Sequence, residues 1–273
     1  MKKEIELWAI VTGTVASLTK EPNVKSDLVD EVLFGMVVKI IEAVDEQWYY
    51  VETHYGYCGY IYKENILIDT EKALQWKERA DSVVTHNFVD VMSEPKYASC
   101  PMILLTRGAL IQATVEENDW IQVCLPDNRF GWVRKGLLQK KAQGDLKADE
   151  ESFRVKLVNT ALSYLGTQYR WGGKSSLGID CSGLCSMAYM LNGVMIYRDA
   201  VLKEEYMRSI PLEEIKAGDL LFFPGHVAMY IGEDNYVHAT GREGLVLVNS
   251  LNPMHENYRE DLHKDISGIG TIY

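Results

Sequence analysis

The chain has 273 residues, 47% of them hydrophobic, with 28 basic and 39 acidic side chains giving a formal net charge of -11. The length allows two or three domains with real cores. The acidic balance argues against nucleic acid or an anionic membrane as partner, since both are held by basic patches.

The N-terminal stretch MKKEIELWAIVTGT carries acids at Glu4 and Glu6 and no apolar leader segment, and no later run approaches a membrane span. The expected setting is the cytoplasm, with no membrane partner. The first feature along the chain is an internal repeat. VASLTKEP (Val15 to Pro22) is similar to VDVMSEP (Val89 to Pro95), and LFGMVVKI (from Leu33) to LTRGALIQA (from Leu105). WYYVETHYGYCGYIYKENIL (from Trp48) is similar to WIQVCLPDNRFGWVRKGLL (from Trp120). Trp48 aligns with Trp120, Gly59 with Gly131, Tyr60 with Trp132 and Gly35 with Gly108, at offsets of 72 or 73 residues. Each copy holds short strands rich in β-branched and aromatic residues, with WYYVET and WIQVCL alternating like half-buried strands. Units this small hide their strand edges by closing into barrels. TEKALQWKERA between the copies reads as a short helical connector.

KKAQGDLKADEES (Lys140 to Ser152) reads as a solvated linker. In FRVKLVNTALSYLG the spacing of Val158, Ala161, Leu162 and Leu165 predicts a helix with these residues on its buried face, stopping at Gly166. DCSGLCSMAYMLNG (Asp180 to Gly193) predicts a second helix, with Leu184, Met187, Ala188 and Leu191 on one face and Gly193 just past its end. Strands are expected at Asp219–Pro224, His226–Gly232, Asn235–Gly241, Leu245–Ser250 and the C-terminal IGTIY. Helices followed by an antiparallel meander give an α+β class for residues 152–273.

Five cysteines occur, at 58, 100, 124, 181 and 185, with no C-x-x-C or paired zinc spacing. Cys58, Cys100 and Cys124 are expected to be small buried apolar residues, and Cys185, one helical turn from Cys181, to pack in the core. Cys181 differs because it stands at a helix start. Unpaired N–H groups and partial positive charge there favour a thiolate. A nucleophile also needs a base. His226 and His238 lie twelve residues apart on two strands joined through GEDN. An odd hairpin loop would put both rings on one face, and an even one would split them. On one face, His226 could meet the sulfur while His238 orients His226. The same three residues could instead hold zinc. His54, His86, His255 and His263 read as ordinary surface residues.

YRWGGKSSLGIDCSGLCSMAY, followed by AGDLLFFPGHVAMYIG and YVHATG, resembles the three sequence blocks of the NlpC-type bacterial cell-wall cysteine peptidases. The two repeats resemble bacterial SH3-like barrels. The resemblance implies an α+β papain-like cysteine peptidase domain over 152–273, preceded by two all-β SH3-like barrels at 1–70 and 80–140. It makes Cys181 the nucleophile, His226 the base and His238 the orienting residue. Tyr169 falls near the oxyanion hole, where the Cys181 N–H is a natural donor. No metal and no cofactor are implied.

Two such barrels ahead of the catalytic domain narrow the resemblance to the γ-D-glutamyl-L-diamino acid endopeptidases, which cut murein tripeptides or tetrapeptides with a free N-terminal L-Ala. In that subgroup Asp180 and Ser182 match the pair that binds the substrate's amine, and Tyr57 matches a first-barrel tyrosine that closes the pocket. The first-barrel acid falls nearest Val29, making Asp30 the candidate and Glu31 the next choice. Asp199 matches a residue on the diamino-acid side and Arg198 could meet a substrate carboxylate, the alternative for both being a structural loop charge. A monomer is expected. The competing readings are a surface hydrolase of intact peptidoglycan, a non-catalytic peptidoglycan-binding protein, and a zinc hydrolase.

Overall fold

The computed structural model describes residues 6–144 and 149–273. The first five residues of the N-terminal stretch and the middle of the expected linker, 145–148, lie outside the described residues. The chain divides into two compact units, Met1–Lys141 and Ala142–Tyr273.

The first unit is built on two seven-stranded antiparallel sheets. The first holds β1 (Leu7–Val11), β2 (Val15–Thr19), β3 (Leu28–Leu33), β4 (Val37–Ala43), β5 (Trp48–Thr53), β6 (Cys58–Tyr62) and β7 (Ile66–Ile68). Helix α1 (Thr70–Arg79) follows, close to the connector read from the sequence. The second sheet holds β8 (Ser82–Val84), β9 (Phe88–Met92), β10 (Pro101–Thr106), β11 (Leu110–Glu117), β12 (Trp120–Cys124), β13 (Phe130–Arg134) and β14 (Leu138–Lys140). The strand orders, β3-β2-β6-β5-β4-β1-β7 and β10-β9-β13-β12-β11-β8-β14, are the same order seven strands on. The repeat extends to register: Val51 pairs with Gly59 as Val123 pairs with Gly131. Glycine is required there because a Cβ on Gly59 would lie 2.9 Å from the Leu18 side chain, and one on Gly131 would lie 2.4 Å from that of Val91.

The two sheets are joined through a shared core. Phe34, at the end of the first sheet's β3, is buried in the second sheet's cluster with Val84, Leu105, Ile111 and Val133. Burying such a ring is worth roughly 2 kcal/mol. Leu110 N–H donates to Phe34 C=O at 2.9 Å, and the Trp76 indole of α1 donates to Gly35 C=O at 2.8 Å.

The second unit opens with α2 (Glu150–Leu162), a small hairpin of β15 (Lys174–Ser175) and β16 (Gly178–Ile179), and α3 (Cys181–Leu191). A six-stranded antiparallel sheet follows: β17 (Arg208–Ser209), β18 (Leu220–Phe223), β19 (His226–Gly232), β20 (Asn235–Thr240) and β21 (Leu245–Ser250), with α4 (Glu260–Lys264) before β22 (Gly268–Thr271). Its order is β17-β22-β18-β19-β20-β21, and α3 packs on β19 and β20.

Two sequence expectations are corrected here. The buried face of α2 is Phe153, Arg154, Leu157 and Ala161, whereas Leu165 is exposed and lies beyond the helix end. The spacing misled because a polar side chain occupies the inner face. Arg154 is buried against Asp219 at 2.8 Å, with Thr271 Oγ1 at 3.2 Å, tying α2 to the sheet. The thiols of Cys58 and Cys124 are only half-buried and Cys100 is exposed, so none of the three is a core residue. The Cys58 side chain points off the outer side of β6, where it meets Tyr50.

Candidate active site

Asp180 is extended and caps α3, with its Oδ1 accepting the Gly183 N–H at 2.5 Å and its backbone C=O accepting that of Leu184 at 2.9 Å. Such a cap is worth about 1 kcal/mol. The capped turn holds Cys181 at the first helical position, where its own N–H stands outside the helix's internal hydrogen bonds. The Sγ receives the backbone N–H groups of Ser182 and Val227. The second of these belongs to the residue that follows His226 at the start of β19, which brings the sulfur to that end of the strand.

Cys181 is only 7% exposed, and burial pushes its thiol up to about 11, with the Asp180 carboxylate adding to the effect. Desolvation thus opposes the thiolate that the helix start and the two N–H groups favour. Burial also pulls His226 down to about 3, helped by His238 and Arg259, and lowers His238. Burial thus favours the neutral form of both groups, which suits proton transfer during attack.

His226 and His238 share one face of the sheet, 2.7 Å apart from Nε2 to Nδ1. The hairpin loop reaches this by an unexpected route. Gly232 pairs with Asn235 across the two-residue turn Glu233–Asp234, whose residues both have positive φ. An even loop alone would put the histidines on opposite faces. A β-bulge between Tyr230 and Gly232 adds the missing residue and restores the parity, so that Met229 pairs with Val237. The facing nitrogens share a proton and so do not point two lone pairs at a common ion. Among the described residues, no group of three His, Cys, Asp or Glu side chains is arranged as metal ligands.

His238 Nε2 continues the chain to Asn249 Oδ1 at 2.9 Å. Sequence reasoning missed Asn249. Its only signal was one amide in the apolar run LVLVNS, where β21 pairs Asn249 with the buried Tyr236.

Tyr169 lies near Cys181 and is half-buried. Burial, with the cysteine's charge second, raises its phenol to about 12, so the O–H stays a donor. Asp180 and Ser182 are held by Arg198, which is 3% exposed. Arg198 Nη1 donates to Asp180 Oδ1 at 3.1 Å and to Ser182 Oγ at 2.7 Å. Its Nη2 donates to the carbonyls of Gly172 and Gly173 at 3.1 and 3.3 Å. The expectation that Arg198 meets a substrate carboxylate is thereby corrected: it is a buried internal clamp. The Asp180 carboxylate is also crowded, taking Gly172 N–H at 2.8 Å and the Ser182 hydroxyl at 3.2 Å. Ser182 Oγ donates once and accepts once in these contacts, which leaves one lone pair. It lines a narrow crevice with Tyr197, Asp199, Lys203 and Val227. Cys185 also lines it but is otherwise core, at 1% exposure.

Asp30 and Tyr57 belong to the first unit. Asp30 is buried on β3 and accepts the Tyr55 hydroxyl at 2.5 Å. Tyr57 is half-buried in the β5–β6 turn, where its N–H donates to Thr53 Oγ1 at 2.9 Å. Among the described residues, no helix is long and apolar enough to cross a membrane.

Residues 166–263 match the NlpC/P60 family, and residues 18–66 match the bacterial dipeptidyl-peptidase SH3 domain. The sequence is 44% identical over 270 residues to dipeptidyl-peptidase 6 of Lysinibacillus sphaericus, across 97% of this chain and 99% of that protein. It is 29% identical to a γ-D-glutamyl-L-lysine dipeptidyl-peptidase of Bacillus cereus, across 72% of this chain and 60% of that one. A crystal structure of an NlpC/P60 family protein from Bacillus cereus superposes with a TM-score of 0.81, across 97% of this chain and 99% of that one, at 21% identity.

Proposed function

We propose, from the premise that this chain belongs to the NlpC/P60 family of cysteine peptidases, that it cleaves the γ-D-glutamyl–L-diamino acid bond of murein peptides bearing a free N-terminal L-Ala. The observation that carries the chemistry is the histidine pair, His226 to His238 at 2.7 Å, set beside a thiol at a helix start. The substrate class is supported by the names of the two dipeptidyl-peptidases that the chain is similar to.

In this reading His226 takes the Cys181 S–H proton as Sγ attacks the γ-carbonyl carbon of D-Glu. The oxyanion that forms meets the Cys181 N–H and the Tyr169 hydroxyl. The C–N bond then breaks, and the leaving amine takes the proton from His226. The L-Ala-γ-D-Glu thioester is cleared by water, which gives its proton to His226 and its hydroxide to the acyl carbon. L-Ala-D-Glu leaves, and the thiol is restored.

Ser182 offers its remaining lone pair to the substrate's ammonium, while Asp180 supports it indirectly by fixing Ser182 and Arg198. Asp199 stands on the crevice that begins at Ser182 and serves the diamino-acid side. The roles of Asp30 in amine recognition and of Tyr57 in closing the pocket rest on the sequence resemblance. The matching strand orders support two SH3-like barrels, within 1–70 and 80–140, ahead of the catalytic domain at 152–273. A cytoplasmic site of action fits the five free thiols. A single chain is taken as the working unit.

The test is a panel of L-Ala-γ-D-Glu-L-Lys and its diaminopimelate analogue, each free or N-acetylated, with products identified by mass. Only the free peptides should be cut, and Cys181→Ala should cut none. Equal cleavage of the acetylated peptides would favour a hydrolase of intact peptidoglycan.

A further inference from the structure

Asn249 lies on β21, two residues along from Leu247, which pairs directly with His238 on β20. It therefore shares the histidine's face, one diagonal step away. Its side chain has two fixed neighbours. Asn249 Nδ2 lies 2.8 Å from the backbone oxygen of Asn257, and Asn249 Oδ1 lies 2.9 Å from His238 Nε2. A backbone carbonyl only accepts, so the amide end facing Asn257 is the NH2 group and the end facing His238 is the oxygen. That oxygen also only accepts. His238 must then carry its proton on Nε2, and in the neutral ring Nδ1 is bare. The bare Nδ1 accepts from its neighbour at 2.7 Å, so His226 carries its proton on Nε2. The nitrogen left without a proton on His226 is Nδ1.

We propose that Asn249 is a positioning residue that sets the tautomers of both histidines and thereby makes Nδ1 of His226 the base. The proposal rests on the reading of His226 as the base for Cys181. Without the Asn249 oxygen, His238 is free to move its proton to Nδ1. His226 would then have to accept on Nε2 and hold its own proton on Nδ1, where it cannot take one from the thiol. Asn257 acts one step further out, fixing which way the Asn249 amide faces.

The test starts with the unaltered protein. Long-range proton–nitrogen correlation spectra of the 15N-labelled chain at neutral pH should show both His226 and His238 protonated on Nε2. His238 protonated on Nδ1 overturns the proposal. This readout needs no substrate, so it stands apart from any failure of the peptidase assignment. Asn249→Ala should lower kcat on L-Ala-γ-D-Glu-L-Lys by about tenfold or more, with KM within about twofold, and should show mixed tautomers. Asn249→Asp keeps an acceptor oxygen, so the Nε2–H pattern and most of the rate should return. An alanine variant with the original kcat and tautomer pattern overturns the proposal. If the alanine variant does not fold, the spectrum of the unaltered chain and the Asn249→Asp variant decide the question alone.

Discussion

Arg198 grips the carboxylate of Asp180 with both guanidinium nitrogens, at 3.1 Å from Nη1 to Oδ1 and 3.3 Å from Nη2 to Oδ2. The side chains are 2% and 10% exposed. The residue before Cys181 is thus part of a buried ion pair as well as a helix cap. Breaking one side of such a pair leaves a buried charge uncompensated. Arg198→Leu should therefore lower unfolding stability by about 3–5 kcal/mol in urea titration. Adding Asp180→Asn should recover part of it. A loss under about 1 kcal/mol in the single variant would show that the pair is not structurally important.

The histidine–thiol couple sets a pH window for stability. The folded His226 is pulled below its usual 6.5, so an unfolded chain binds more protons than the folded one as pH falls below 6.5. Stability from neutral His226 is full above that pH and is lost as pH falls towards about 3. Cys181 behaves in the opposite sense. Its folded value is raised above 9.0, so stability is lost as pH rises from 9.0 towards about 11. Melting curves should show His226→Phe flattening the acid limb and Cys181→Ala the alkaline limb. An unchanged profile in both variants would contradict the burial of the couple.

The same burial governs reactivity. With iodoacetamide at pH 7 and no substrate, the exposed Cys100 should be alkylated first and Cys181 slowly, speeding up as pH rises. Peptide mapping reads the order. Immediate, pH-independent labelling of Cys181 would restore the standing thiolate expected from the helix start alone.

The bulge at Tyr230–Gly232 offers a sharper test. Deleting Ile231 removes the extra residue while leaving the two-residue turn in place. The hairpin should still form, but His226 and His238 would project from opposite faces. Activity on the free murein peptide should fall to the level of Cys181→Ala, with circular dichroism largely preserved. Retained activity would mean that the register slips back to restore the pairing.

In the first unit, Gly35 has φ +77°, and a Cβ there would lie 1.9 Å from the Leu110 carbonyl oxygen. Gly35→Ala should cost about 2 kcal/mol or more, from backbone strain and the lost approach of Leu110 to Phe34. Thermal melting measures it. An alanine variant that melts with the unaltered chain would show that the two sheets can separate at little cost.

The sequence by itself determined what depends on local pattern. Strand periodicity and the repeated glycines placed both copies of the repeat, because a close strand approach excludes a Cβ wherever it recurs. The D-C-S-G stretch announced a helix start, and the resemblance of the motif blocks singled out Cys181, His226 and His238 as candidates. Tertiary structure decided what depends on neighbours distant in the chain. The upward shift of the Cys181 thiol followed from burial, and the task of Arg198 from carbonyls 25 and 26 residues away. The shared face of the histidines depended on one bulged residue, which periodicity counts as ordinary strand. Asn249 matters only because β21 lies beside β20 and the Asn257 carbonyl fixes its amide. A side chain's chemistry is fixed by its type, but its charge state and partners come from packing that brings separate strands within hydrogen-bond distance.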